Sequence, residues 1–350
     1  MSLKEDPALT PERKEFYDRI DGQSLTPLWS VLNALVTPEP KSDCKAHLWK
    51  YDDVREFLLE AGGLITAKEA ERRVLILENP GMRGKSSITT DLYAGLQLVT
   101  PGEAAPAHRH TQSALRLVLE ASDGAHTTVN GERTNMKYGD FIITPPWGWH
   151  DHDNAGSEPV IWLDGLDVPM VSHFDVSFAE EYGADQQEVT RELDDSHARF
   201  GANMVPMGHV KTELVSPIFN YPYDKAREAL INLQKQGEID LCHGIKMQYV
   251  NPVDGGPAMP TIATFLQLLP ANFESIVYRS TDASVYVALE GQGTTYIDGE
   301  PFTWGPRDMF VVPSWKEIRH KSDGEAILFS FSDRAAQEKL GFFRERRGNT

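Results

Sequence analysis

The chain has 350 residues, with 34 Lys and Arg against 52 Asp and Glu, giving a formal net charge of −18. That balance argues against nucleic acid and against an anionic membrane surface as partners, and a length well above one small core predicts two domains. Cys44 and Cys242 are too few for a disulfide framework, and no apolar run nears the ~18 residues of a bilayer span, so the expectation is a soluble cytoplasmic protein.

The first seventy residues read as helical. Thr10-Pro11 and Thr26-Pro27 each set a capping oxygen before a proline at the first helical position, and Asp52 opens a segment expected to close at Gly62-Gly63. Thr66 and Glu69 have the spacing of a capping box. From Arg73 the period changes to short β runs such as Val74–Leu77 and Leu96–Val99, punctuated by Pro and Gly as far as about Val171. The resulting plan is an N-terminal helical region over 1–70, a first barrel over 71–174, a mixed connector over 175–244 with a helix from Asp224 to Gln236, and a second barrel over 245–350.

The chemistry concentrates between residues 106 and 154. His108 and His110 are two apart, so in a strand both imidazoles leave the same face and can grip one ion. His150 follows on a segment that begins with a glycine turn and a Pro-rich bend, and three neutral imidazoles leave part of a metal's coordination sphere open. Gly102 before His108-x-His110, then Gly139, Pro145, His150 and Asn154, resemble the paired motifs of the cupin superfamily. The glutamate that many cupins carry shortly after the second histidine is absent, since Ala114 and Leu115 stand there.

An internal repeat accompanies these motifs. Leu96-Gln97-Leu98 returns as Leu266-Gln267-Leu268, and Arg109, Thr111 and Glu120 as Arg279, Thr281 and Glu290, all 170 residues on. Asp140, Pro145 and Trp147 return 168 residues on as Asp308, Pro313 and Trp315. Through these offsets His108, His110 and His150 become Tyr278, Ser280 and Ile318, and His152 alone stays a histidine, as His320. The expected fold class is mainly β: two double-stranded β-helix (jelly-roll) barrels with an N-terminal helical region, the second barrel metal-free and structural.

Over almost its whole length the chain resembles the bicupin gentisate 1,2-dioxygenases, with the salicylate and 1-hydroxy-2-naphthoate dioxygenases as relatives. The segments that carry the likeness include Leu64–Val74, Leu92–Gln97, Ala107–Arg116, Thr144–His152 and Trp162–Asp167. The resemblance implies a bicupin with one Fe(II) held by His108, His110 and His150, and a substrate that is a small aromatic carboxylate cleaved with O2 between its carboxyl-bearing and adjacent hydroxyl-bearing carbons. For gentisate the product is maleylpyruvate. It also implies a homotetramer.

Further residue roles follow partly from strand spacing and partly from the same likeness. Arg116, an even step beyond His110, is expected on the inner face of one regular strand, holding the substrate carboxylate. Arg72 is the family position for a second carboxylate contact; Arg73 competes with it, because neighbouring residues point to opposite faces. His152, on the side of His150, is placed to hydrogen-bond the phenolic hydroxyl or move its proton, or to act as a weak fourth ligand. Gln97 and Asp164 match positions lining the ring pocket, Asp164 facing a second hydroxyl; Tyr93 is a further candidate for its walls, and Trp147 and Trp149, which flank His150, either wall it or serve as aromatic packing of the barrel. Two other classes use the same shell, a cupin isomerase and a non-catalytic binding bicupin, and neither requires dioxygen.

Overall fold

The computed structural model describes residues 9–202, 204–211, 214–237 and 239–348. Two compact units are present, one ending at Lys41 and one running from Ser42. The first holds helices Pro11–Asp21 and Leu28–Leu35. Thr10 caps the former, its Oγ1 accepting from Arg13 N at 3.3 Å. Thr26 does not cap the latter: the residue before that helix is Pro27, with no side-chain cap.

In the second unit the capping box is present, Thr66 and Glu69 exchanging hydrogen bonds at the start of the short helix Ala67–Ala70. The preceding helix, Tyr51–Leu64, departs from expectation at both ends. Its N-terminus is satisfied by the distant Asp308, whose Oδ1 accepts from Tyr51 N at 2.9 Å, and not by Asp52. Gly62 and Gly63 lie within its final turn, which closes only when Ile65 turns extended into the next cap.

The remaining chain forms two barrels, each from two antiparallel sheets. In the first, six strands run in the order Asn220–Tyr221, Phe141–Thr144, Ala114–Glu120, Val160–Leu166, Tyr93–Val99, Val74–Ile76. They face a five-stranded sheet ordered Ala179–Glu181, Ala104–His110, His150–Asn154, Ala125–Val129, Glu132–Asn135. The second barrel repeats the plan, with His47–Trp49 and Ile245–Gln248 at the edges of its larger sheet.

Each barrel thus borrows an edge strand: the first from the connector, the second from a segment preceding the first barrel. The helix after each borrowed strand is fixed identically. Tyr51 Oη donates to Glu120 at 2.9 Å while Arg55 forks the same carboxylate at 2.7 and 3.0 Å. Tyr223 N donates to Asp140 at 2.9 Å, Tyr223 Oη to Glu290 at 2.7 Å, and Arg227 forks Glu290 at 2.7 and 3.0 Å. The repeat therefore reaches upstream of residues 71 and 245, to about 47 and 220, because these strand–helix pairs hydrogen-bond across the duplication. Its signature, Tyr-Asp-x-x-Arg-Glu at 51–56 and 223–228, lies in the sequence.

The larger sheets are buried on both faces. Leu115, Leu117 and Leu119 join Leu96, Leu98 and Leu163 in one apolar cluster with Leu266, Leu268, Val285, Val287 and Phe329 of the other barrel. The alternate residues turn inward, where Val118, Ile142, Val160, Trp162 and Met136 fill the floor of the first barrel. Covering the outer faces against each other removes from water the apolar rows a lone barrel would expose.

Candidate active site

Strand register assembles the three histidines. His108 and His110 end the strand Ala104–His110, His150 begins the neighbouring strand, and His108 is the direct register partner of His150. Their ring centroids are 5.4 Å (108 to 110), 4.1 Å (108 to 150) and 4.9 Å (110 to 150) apart. One nitrogen of each lies within 4.8 Å of the others.

Local backbone decides which nitrogens those are. Nδ1 of His108 lies 3.2 Å from Pro106 O, that of His110 3.1 Å from Gln112 O and that of His150 3.0 Å from Gly148 O. A carbonyl can only accept, so in His110 and His150 Nδ1 carries the proton and the Nε2 lone pair is turned to the common centre, whereas Nδ1 of His108 also meets the Arg72 guanidinium, a donor. His150 Nε2 is buried without a partner. Burial, reinforced by Arg72, lowers His108 to about 3; burial and Arg116 lower His110 to about 4, and His150 is held well below its ordinary value by burial and then His108. Three neutral imidazoles with one nitrogen each turned to a common centre fit a divalent first-row metal.

Arg116 faces the interior, by a route other than the expected one. No regular strand runs from His110 to Arg116: residues 111–113 turn the chain from the smaller sheet to the larger, anchored by Ser113 N donating to Asp167 Oδ1 at 2.9 Å. The parity rule does not survive such a turn, and Arg116 points inward because both sheets have their alternate faces in the barrel. It donates to Thr144 Oγ1, and its Nε lies 3.4 Å from Asp164 Oδ1 on the adjacent strand, in register. Trp162 Nε1 also donates to Asp164 Oδ1, at 2.9 Å. Burial pushes Asp164 up to about 6, with Arg116 opposing.

The adjacent arginines part company. Arg72 donates to Pro106 O at 2.5 Å and lies against the His108 ring; burial and then the charge of Arg116 lower it to about 10. Arg73 points elsewhere, forking Glu103 at 2.7 and 2.9 Å and donating to Ile65 O at 3.1 and 2.8 Å. Two guanidinium groups, Arg72 and Arg116, therefore face the histidine centre with Asp164 as the nearby carboxylate.

His152 is fully buried, its ring 5.0 Å from Trp162 and 5.9 Å from His150. Its Nδ1 is 2.8 Å from Thr127 Oγ1 and its Nε2 has no partner. Gln97 is buried opposite Trp162 in register, and among the described residues it makes no hydrogen bond to the histidines or arginines. Tyr93 is raised by burial and then by Asp164, and its hydroxyl lies beside Gly95, the register partner of Asp164. Sequence reasoning passed over Thr127, Thr144 and Trp162. Thr127 had a signal, for Thr127 and His152 recur 168 residues on as Thr295 and His320, again hydrogen-bonded, at 2.9 Å.

The second barrel reproduces the register and loses the ligands. Tyr278 pairs with Ile318 as His108 pairs with His150, and Ser280 takes the third place. Phe265 stands where the first barrel has Gly95, both lying one strand from the Arg116–Asp164 or Tyr286–Ser330 pair.

A double-stranded β-helix barrel with a three-histidine centre defines a cupin metalloenzyme site, and a cupin domain model matches residues 95–167. The chain is 60% identical to gentisate 1,2-dioxygenase 1 of Aquipseudomonas alcaligenes, covering 99% of this chain and 100% of that protein. It is 35% identical to 5-aminosalicylate 1,2-dioxygenase of a Comamonas species, over 92% of this chain and 87% of the relative. Among solved structures, a point variant of salicylate 1,2-dioxygenase from Pseudoaminobacter salicylatoxidans in complex with gentisate superimposes with a TM-score of 0.92 at 33% identity, covering 100% of this chain and 99% of that one. The chain belongs to the gentisate 1,2-dioxygenase family of ring-cleaving cupin dioxygenases, and it is a dioxygenase. Among the described residues no helix is long and apolar enough to cross a membrane.

Proposed function

We propose that the protein is an Fe(II)-dependent gentisate 1,2-dioxygenase, acting in the cytoplasm as a homotetramer and converting gentisate and O2 to maleylpyruvate. The observation that carries this reading is the pair of guanidinium groups, Arg116 buried and Arg72 half-buried, beside three neutral imidazoles, in a chain so similar over its length to a gentisate dioxygenase. His108, His110 and His150 would hold the ferrous ion, which when bound supplies Lewis acidity and redox chemistry toward substrate and dioxygen.

The chain's own residues do the rest. Arg116 and Arg72 bind the substrate carboxylate: two cations face one carboxylate, Asp164, so an incoming anion completes the charge balance of the site. His152 takes the proton of the hydroxyl beside the carboxylate. Thr127 Oγ1 holds His152 Nδ1 at 2.8 Å, and Nε2, buried without a partner, is the atom that takes that proton. Asp164, held by Trp162 and Arg116, accepts from the second ring hydroxyl, and Tyr93, Gln97 and Trp162 wall the ring.

The test is an absorbance assay of ring cleavage by the iron-loaded protein with gentisate, salicylate and 1-hydroxy-2-naphthoate, in air and under nitrogen. Oxygen-dependent turnover with gentisate preferred is expected. Conversion that continues under nitrogen would point to an isomerase, and a preference for salicylate would move Asp164 out of its assigned role.

A further inference from the structure

The side chain between the two paired ligands, Arg109, leaves the strand on the face opposite His108 and His110. There its guanidinium is stacked between two indoles, with Cζ 4.4 Å from the Trp147 ring centroid and 4.5 Å from that of Trp149. Trp149 immediately precedes the third ligand, His150. The stack continues outward, since Phe178 packs on Trp147 at 4.5 Å and Tyr182 on Trp149 at 5.0 Å. Arg109 Nε donates to Glu180 at 2.9 Å, and Glu180 is its register partner on the flanking strand.

The backbone under the stack is held in a costly shape. Trp147 has φ of 62°, a left-handed conformation uncommon for a large side chain, and its N–H donates to His110 O at 2.7 Å. Trp149 exchanges hydrogen bonds with Asn130, at 2.9 Å to the side chain and 2.8 Å from the backbone. Beyond the ladder that pairs His108 with His150, the turn leading into His150 is thus latched to the strand carrying His108 and His110 by one backbone hydrogen bond and one cation gripped by aromatic faces.

The metal-free barrel supplies the comparison. Trp315 repeats the left-handed backbone, with φ of 64°, and the hydrogen bond to Ser280 O at 2.7 Å. There, however, Glu317 replaces Trp149, and Arg279 pairs with that carboxylate and lies 5.8 Å from the Trp315 ring. The turn is common to both barrels. The double-indole sandwich belongs to the barrel that has the ligands.

We propose that Arg109 is a positioning residue that clamps the two ligand-bearing strands from outside the barrel, fixing the spacing of the three imidazoles and slowing loss of the metal. The proposal rests on the reading of His108, His110 and His150 as the Fe(II) site. A guanidinium suits the role because its flat faces stack on two rings while its edge still reaches Glu180.

The experiment measures the rate at which iron-loaded protein gives up Fe(II) to a ferrous chelator, with Tm and the kcat and KM for gentisate. Arg109→Met should release iron roughly 10- to 100-fold faster, the range seen when groups that orient metal ligands are removed, and should lower kcat while KM stays near wild type. Trp149→Leu, which leaves one indole and the Glu180 pair, should lie between, and Arg109→Lys should recover part of the loss. Arg279→Met, the equivalent change in the metal-free barrel, should leave release at the wild-type rate. Wild-type release by Arg109→Met and Trp149→Leu, or equal acceleration by Arg279→Met, overturns the clamp. Wild-type protein that binds no Fe(II) overturns the metal reading and the clamp with it.

Discussion

Replacing Arg116 with Met removes a buried cation while keeping much of its volume. The side chains of Arg116 and Asp164 are 5% and 7% exposed, so neither charge has water to fall back on. Truncating one member of such a pair costs roughly 2–5 kcal/mol, or about 30-fold to several thousand-fold in kcat/KM at 1.36 kcal/mol per factor of ten. Loss of the opposing charge also lets Asp164 rise further above about 6, because Arg116 is what holds it down. The acid limb that Asp164 sets should therefore move to higher pH, and part of the lost activity should return toward pH 9. Arg116→Lys should recover little, since an ammonium cannot fork a carboxylate. The assay is initial-rate turnover of gentisate across pH with iron content determined on the same samples. Near-wild-type kcat/KM in an iron-replete Arg116→Met protein would remove Arg116 from the site and leave Arg72 as the anion holder.

Iron analysis should return about one Fe(II) per chain, lost in His108→Ala, His110→Ala and His150→Ala but retained in His320→Ala, whose barrel has Tyr278, Ser280 and Ile318 at the ligand positions; two equivalents per chain would contradict the assignment. Arg73→Met should act on stability alone, lowering it by roughly 1.5–3 kcal/mol in denaturant titrations because the partly exposed Glu103 loses its charged hydrogen-bond donor, with KM for gentisate unchanged; a raised KM would restore Arg73 to the pocket. A third expectation concerns pH and the buried Asp333. Its counterpart Asp167 accepts from the Thr261 hydroxyl at 2.5 Å, whereas Asp333 meets the carboxyl of Asp91, and burial with the nearby Asp282 raises it to about 8. The folded protein then binds a proton that the unfolded chain releases near pH 4, so stability falls as pH rises from about 4 toward about 8. Asp91→Asn supplies a permanent donor and should raise Tm at pH 9 more than at pH 6, and equal Tm changes at the two pH values would refute the shared proton.

Much of the site was legible because its signals are local. Two histidines two residues apart declare a common face of a strand, and a repeat that keeps His152 but drops three other histidines picks out the candidate ligands by difference. Arg116 was found by a count that the fold does not obey: parity holds within one strand, and residues 111–113 carry the chain to another sheet. The inward direction came instead from the closed barrel, in which both sheets present alternate residues to one interior. Arg72 and Arg73 could not be separated by any local rule, since a one-residue slip exchanges faces. Glu103 and Ile65, some 30 and 8 residues away in sequence, decide it.

The sequence by itself determined the kind of barrel, its duplication and the histidines that converge on one centre, because these are written in short-range periodicity and in a repeat of similar motifs. Only the tertiary structure decided what crosses between repeats. The borrowed strands His47–Trp49 and Asn220–Tyr221, the helix starts satisfied by Asp308 and Asp140, and the apolar sheets covered by each other all join residues more than 75 positions apart. Backbone groups and apolar faces must be satisfied somewhere, but the sequence does not say by which distant partner, and that choice belongs to the packing of the whole chain.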